Sequence, residues 1–122
     1  MVNKQIIDDR DTRLSPADLA VLRENLREQR LFREEQLRQI AAVPSRAGEP
    51  RRRSAGQTEV RVKLAASARM VLADVEAALA RMAEGRYGAC HLCRRPIDRE
   101  RLMIVPQARY CARCQQVREA GR

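Results

Sequence analysis

The chain has 122 residues and a formal net charge of +9, and apart from His91 its only aromatic rings are Phe32, Tyr87 and Tyr110. A chain of this length makes one small domain, or a helical element joined to a metal module, and so few aromatics exclude a large globular core. The charge is uneven: residues 1–43 balance eight bases against eight acids, residues 44–58 are net +3, residues 59–83 net +1 and residues 84–122 net +5. Residues 1–14 predict a charged, flexible N-terminus. Their alternating charges leave no apolar run long enough for a signal peptide or a membrane span, so a cytoplasmic protein with no membrane attachment is expected.

The first helix announces its start at Leu14-Ser15-Pro16-Ala17-Asp18-Leu19. Ser15 is the predicted N-cap, Pro16 the first helical residue and Asp18 the partner in a capping box, with Leu14 and Leu19 as a hydrophobic staple. Neither glycine nor proline interrupts the chain from there to about Ala42. Leu19, Leu22, Leu26, Leu37 and Ile40 share one face, which Gln29, Arg30 and Arg33 make polar at its middle; Val21 and Phe32 lie off it. Glu34 is placed to meet Arg38 one turn later on a solvated surface.

Residues 43–58 combine two prolines, two glycines and arginines, and predict a loop at the tip of a hairpin. Arg46, Glu49, Arg51, Arg52 and Arg53 are its candidate contact residues; a solvated linker is the plainer reading. The second helix is expected from near Thr58 to Glu84, with Gly85 as its stop. Leu64, Ala68, Val71, Val75, Ala78 and Met82 step by alternating fours and threes, a heptad seam flanked by Leu72 and Leu79. Two helices of similar length with facing stripes predict an antiparallel two-helix coiled-coil hairpin over residues 15–83, in a mainly α, monomeric protein. Pairing between chains is the alternative use of the same stripes.

Cys90-x2-Cys93-x17-Cys111-x2-Cys114 contains every cysteine of the chain. Each CxxC pair presents two thiolates to one ion, and the intervening loop brings the pairs together, so residues 84–122 predict a C4 zinc-finger module holding one structural Zn2+. Four protein ligands leave no position for an activated water. A disulfide framework would need an oxidising compartment, and a redox CxxC pair would need a βαβ context that is not evident. His91, inside the first knuckle, is expected to be a bystander. Ligation lowers the charge of residues 84–122 from +5 to +3, still suited to a polyanion or an acidic protein. With no cysteine outside the set and no second histidine to pair with a carboxylate or serine, no enzyme is expected.

One stretch carries a specific resemblance: Gly85-Arg86-Tyr87-Gly88-Ala89-Cys90-His91-Leu92-Cys93, followed by Ile97, Arg101-Leu102, Pro106, Ala108 and Tyr110-Cys111-Ala112-Arg113-Cys114-Gln115. It closely resembles the signature of the DksA/TraR family of C4 zinc-finger transcription factors. The resemblance implies a bacterial factor that binds RNA polymerase directly, inserts its coiled coil in the secondary channel and seats its zinc module at the channel mouth, often acting together with guanosine tetraphosphate. Two departures stand out. Arg94 follows the second cysteine where the family usually has glycine. Residues 43–58 also lack the acidic DxxDxA motif of the family's tip, Glu49 being their only acid, and Asp74 lies too near the zinc end to replace it.

The expected function is therefore an RNA polymerase-binding transcription regulator, with phosphate or nucleic-acid contact as an auxiliary role. A basic zinc-finger nucleic-acid-binding protein is a second reading, opposed by the lack of stacking aromatics. A coiled-coil adaptor with a non-polymerase partner is the third.

Overall fold

The structure, a computed structural model, describes residues 13–42 and 55–121. Among these, α1 (Pro16–Ala42), α2 (Ala55–Ala83), α3 (Arg99–Ile104) and α4 (Ala112–Ala120) follow in order, and the one extended pairing is an isolated bridge between Ala89 and Pro96. The fold is mainly helical, with two long helices packed together and a cluster of four cysteines beyond them.

α1 begins as its sequence dictates. The Ser15 hydroxyl accepts from the Asp18 N–H and the Asp18 carboxylate accepts from the Ser15 N–H, each at 3.0 Å, a reciprocal capping box. α2 ends as sharply. Gly85 adopts φ +75°, Gly85 N–H donates to the Met82 carbonyl and Arg86 N–H reaches back to Arg81 at 2.8 Å, closing a Schellman motif.

The helices run antiparallel. Leu26 packs with Val75 and Ala78 near the zinc end, while Arg61 donates to the Ile40 carbonyl at the other end. Leu22 joins Cys90, Ile97 and Leu102 in a second cluster, so α1 contributes to the core of the cysteine module as well as to the hairpin seam. Met82 and Tyr87 pack against both clusters. Val21 and Phe32 are exposed, as their place off the stripe predicts.

Three expectations need correction. Leu64 is 47 % exposed, and Ala65 is buried in its place. Two overlapping four-three patterns one residue apart both pass through Ala68, Val75 and Met82, and near the tip the one through Arg61 and Ala65 faces α1. α2 starts at Ala55, earlier than Thr58. Arg38 pairs with Glu35, three residues away, at 2.6 Å rather than with Glu34.

Candidate metal centre

The turn after α2 builds the first knuckle. Gly88 takes φ +97°, and Leu14 and Leu102 lie at 3.6 and 3.8 Å from where a Cβ would project, in ordinary van der Waals contact. The Ala89–Pro96 bridge follows, with Cys90 N–H donating to the Arg95 carbonyl at 2.8 Å and Arg94 N–H to the Cys90 carbonyl at 3.0 Å. Closing that turn places Arg94 at φ +66°, in the left-handed region.

The second knuckle opens α4. Cys111 is its N-cap, and its sulfur accepts from the Cys114 N–H at 3.4 Å. A helix start favours a thiolate through its free N–H groups. The two knuckles are joined by His91 N–H, which donates to the Arg109 carbonyl at 2.8 Å.

This geometry brings the Sγ atoms of Cys90, Cys93, Cys111 and Cys114 within 4.8 Å of one another. Cys93 and Cys111 Sγ are 3.9 Å apart, close to the edge of about 3.8 Å that a tetrahedron with Zn–S bonds of about 2.3 Å requires. No pair is disulfide-bonded. Cys90 is buried and Cys93 exposed, so the site opens on one side of the first knuckle. His91 is outside the cluster and meets the Tyr110 ring edge-on at 6.0 Å between centroids.

The chemistry of the donor set fits a soft divalent cation. Burial pushes the Cys90 thiol up, but the N–H groups of Cys93, Cys111 and Leu92 outweigh it and bring it down to about 6. Cys114 is pushed up to about 12, chiefly by sharing its proton with Cys111, then by burial and by the other two sulfurs. Four crowded sulfurs cannot all become thiolates without a cation to offset them, and one zinc ion does so. The module is thus a C4 zinc finger with one structural zinc.

Several supporting residues carry no signal in a periodicity or motif reading. The Tyr87 hydroxyl donates to the Pro106 carbonyl at 2.7 Å, and burial pushes its pKa up to about 12. Arg101 Nε donates to the Tyr110 carbonyl at 2.9 Å, bracing the strand of chain that enters Cys111. Arg99 makes a two-point contact with Asp18 at 3.0 Å to each oxygen, tying α3 to the start of α1. Arg109 pairs with Asp74, which places that acid at the zinc end of α2. The buried Arg81 lies beneath this corner. The candidate tip residues Arg46, Glu49, Arg51, Arg52 and Arg53 lie outside the described residues.

Residues 85–120 match the family model described as the prokaryotic dksA/traR C4-type zinc finger. A 52-residue stretch is 38% identical to an uncharacterized protein of Aquifex aeolicus (strain VF5); it spans 41% of this chain and 36% of that protein, so only about a third of the relative's length is matched. Among solved structures, transcription factor DksA2 from Pseudomonas aeruginosa is similar with a TM-score of 0.67 at 25% identity, over 87% of this chain and 86% of that one. The DnaK suppressor protein from Agrobacterium tumefaciens C58 is similar with a TM-score of 0.60 at 28% identity, over 81% and 92% respectively.

Proposed function

We propose that this chain, a member of the DksA/TraR family of C4 zinc-finger transcription factors, regulates transcription by binding bacterial RNA polymerase itself rather than a DNA sequence. The observation that carries the reading is the combination of a C4 module with a long hairpin, similar over 87% of the chain to a transcription factor. Either element alone is common; together they make a probe on a base.

In this reading the hairpin of residues 15–83 enters the secondary channel, and the module of residues 84–122 seats at its mouth. At 1.5 Å per residue, α1 and α2 extend about 40 and 44 Å, enough to hold the tip far from the zinc. Cys90, Cys93, Cys111 and Cys114 ligate the one zinc, which supplies rigidity and no open coordination position. The chain acts as a cytoplasmic monomer; among the described residues no helix is long and apolar enough to cross a membrane.

The tip near 43–58 acts through Arg46, Arg51, Arg52 and Arg53 with Glu49. Arginines are repelled by a catalytic metal and attracted to phosphate, so this tip engages substrate or nucleic-acid phosphates rather than the metal. Equilibrium binding of the zinc-loaded chain to core polymerase, with a known secondary-channel factor as competitor, tests the assignment. Mutually exclusive binding is expected. Simultaneous binding of both factors, or no binding of this chain, would remove the channel from the reading.

A further inference from the structure

The seam between α1 and α2 is filled at one end only. The buried residues of α1 are Leu22 and Leu26, both in the half next to the module. On α2, the buried side chains on the tip side of Val75 are the methyl groups of Ala68 and Ala65. Residues 27–42 and 56–74 therefore bury nothing larger than an alanine, with Leu37, Ile40, Val71 and Leu72 only half-buried. At 1.5 Å per residue the stretch on α1 is about 24 Å long, well beyond the fraying of a last turn.

Polar contacts do not make up the difference. On its apolar stripe this half of α1 carries Gln29, Arg30 and Arg33, and Arg33 bonds within its own helix, to Gln36 Oε1 at 2.9 Å. The ion pairs here, Arg38 with Glu35 and Lys63 with Glu59, also stay within one helix, and among the described residues none joins α1 to α2. Arg61 does cross, from Nη2 to the Ile40 carbonyl at 2.8 Å. Its Nε–H, however, is buried without an acceptor among the described residues, which makes closure costly.

The half next to the module is built differently. Leu22 lies in the module's core, Leu26 packs with Val75 and Ala78, and Met82 and Tyr87 touch both clusters. Helices as short as those of the tip half are marginal in water without a packed face, so a thin seam sets them apart as a weaker cooperative unit. We propose that the hairpin is a two-part lever, a stem locked to the zinc module and a tip half that opens and recloses by itself with the stem intact. A partner that grips the tip end binds one of these forms and shifts the balance between them. The device resides in the free chain, so it stands or falls independently of the polymerase assignment.

Hydrogen exchange of the zinc-loaded full chain tests it. Amides of residues 31–40 and 59–68 should be protected at least about tenfold less than those around Leu26 and Val75. Arg33→Leu, which completes the apolar stripe of α1, should slow exchange of the tip half by about tenfold. Arg27→Leu, on the exposed surface of α1, should leave it unchanged. Val75→Ala should speed exchange of the stem by about tenfold or more and leave that of the tip half within about twofold, because the stem is intact in the open form. Even protection along the hairpin, or a Val75→Ala effect as large in the tip half as in the stem, would make the hairpin one cooperative unit and overturn the lever. An Arg33→Leu effect no larger than that of Arg27→Leu would overturn the thin seam as its cause.

Discussion

Arg94 sits at φ +66° in the turn that closes the first knuckle, where its N–H reaches the Cys90 carbonyl. A side chain with a Cβ costs about 1–2 kcal/mol in this region, and glycine avoids that cost while losing some of the gain to its freer unfolded chain. Arg94→Gly should therefore raise the stability of the zinc-loaded protein by about 1 kcal/mol, read as a higher denaturant midpoint with an unchanged slope. An unchanged or lower midpoint would mean that the guanidinium makes a contribution the backbone geometry does not reveal. The cysteines and Arg94 are legible in the sequence because a CxxC knuckle fixes its own local geometry. Arg81 is not legible. A periodicity reading sends an arginine to the surface, yet it is only 7 % exposed because the turn at Gly85 and Arg86 folds the module back over the last turn of α2. Burial, and next to it the charge of Arg109, hold its pKa below the ordinary arginine value.

At the scale of elements, the ends of the long helices are local and therefore readable: a capping box opens α1 and a glycine stops α2. The register of the seam is not local. The patterns through Leu64 and through Ala65 differ only in which residues the other helix meets, and the structure buries Ala65 and leaves Leu64 exposed, with Arg61 of the same pattern reaching the Ile40 carbonyl. The contact between α1 and α3 is equally invisible beforehand, since Asp18 and Arg99 stand 81 positions apart. Asp18 serves two elements at once, and the Arg99 guanidinium first, then the Ser15 N–H, hold its carboxyl well below the usual range. A carboxyl depressed in the folded state stabilises fully above its unfolded value and loses that effect only as pH falls through the folded value. Asp18→Asn should therefore be less stable than wild type by a margin that stays flat from about pH 8 to about pH 5, above the unfolded aspartate value of about 3.9. Denaturant titrations across that range measure the margin. A margin that shrinks between pH 8 and 6 would assign the effect to another group.

For the molecule as a whole, the decisive feature is that the hairpin and the module share a core. Leu22 of α1 is packed with Cys90, Ile97 and Leu102, whereas the buried cluster of Leu26, Val75 and Ala78 comes from the hairpin alone, with Tyr87 the one module side chain packed against it. Structural zinc contributes on the order of 10–16 kcal/mol in small fingers, comparable to the whole stability of an ordinary domain. Without it four sulfurs within 4.8 Å repel or share protons, and α4, which has no buried residue, has little else to order it. Chelation should therefore unfold the module and fray the zinc end of the hairpin through Leu22 and Met82. The Leu26–Val75–Ala78 cluster and the helices beyond it should stay paired. Hydrogen exchange resolves the two ends: amides of Gly88, Cys90, Ile97 and Leu102 should lose protection on addition of a zinc chelator, and those around Val75 should retain most of theirs. Restoring zinc should restore the first set. If protection disappeared evenly along α1 and α2, the hairpin would be an appendage of the module with no stability of its own, and its reach into a channel would depend on the metal at every residue.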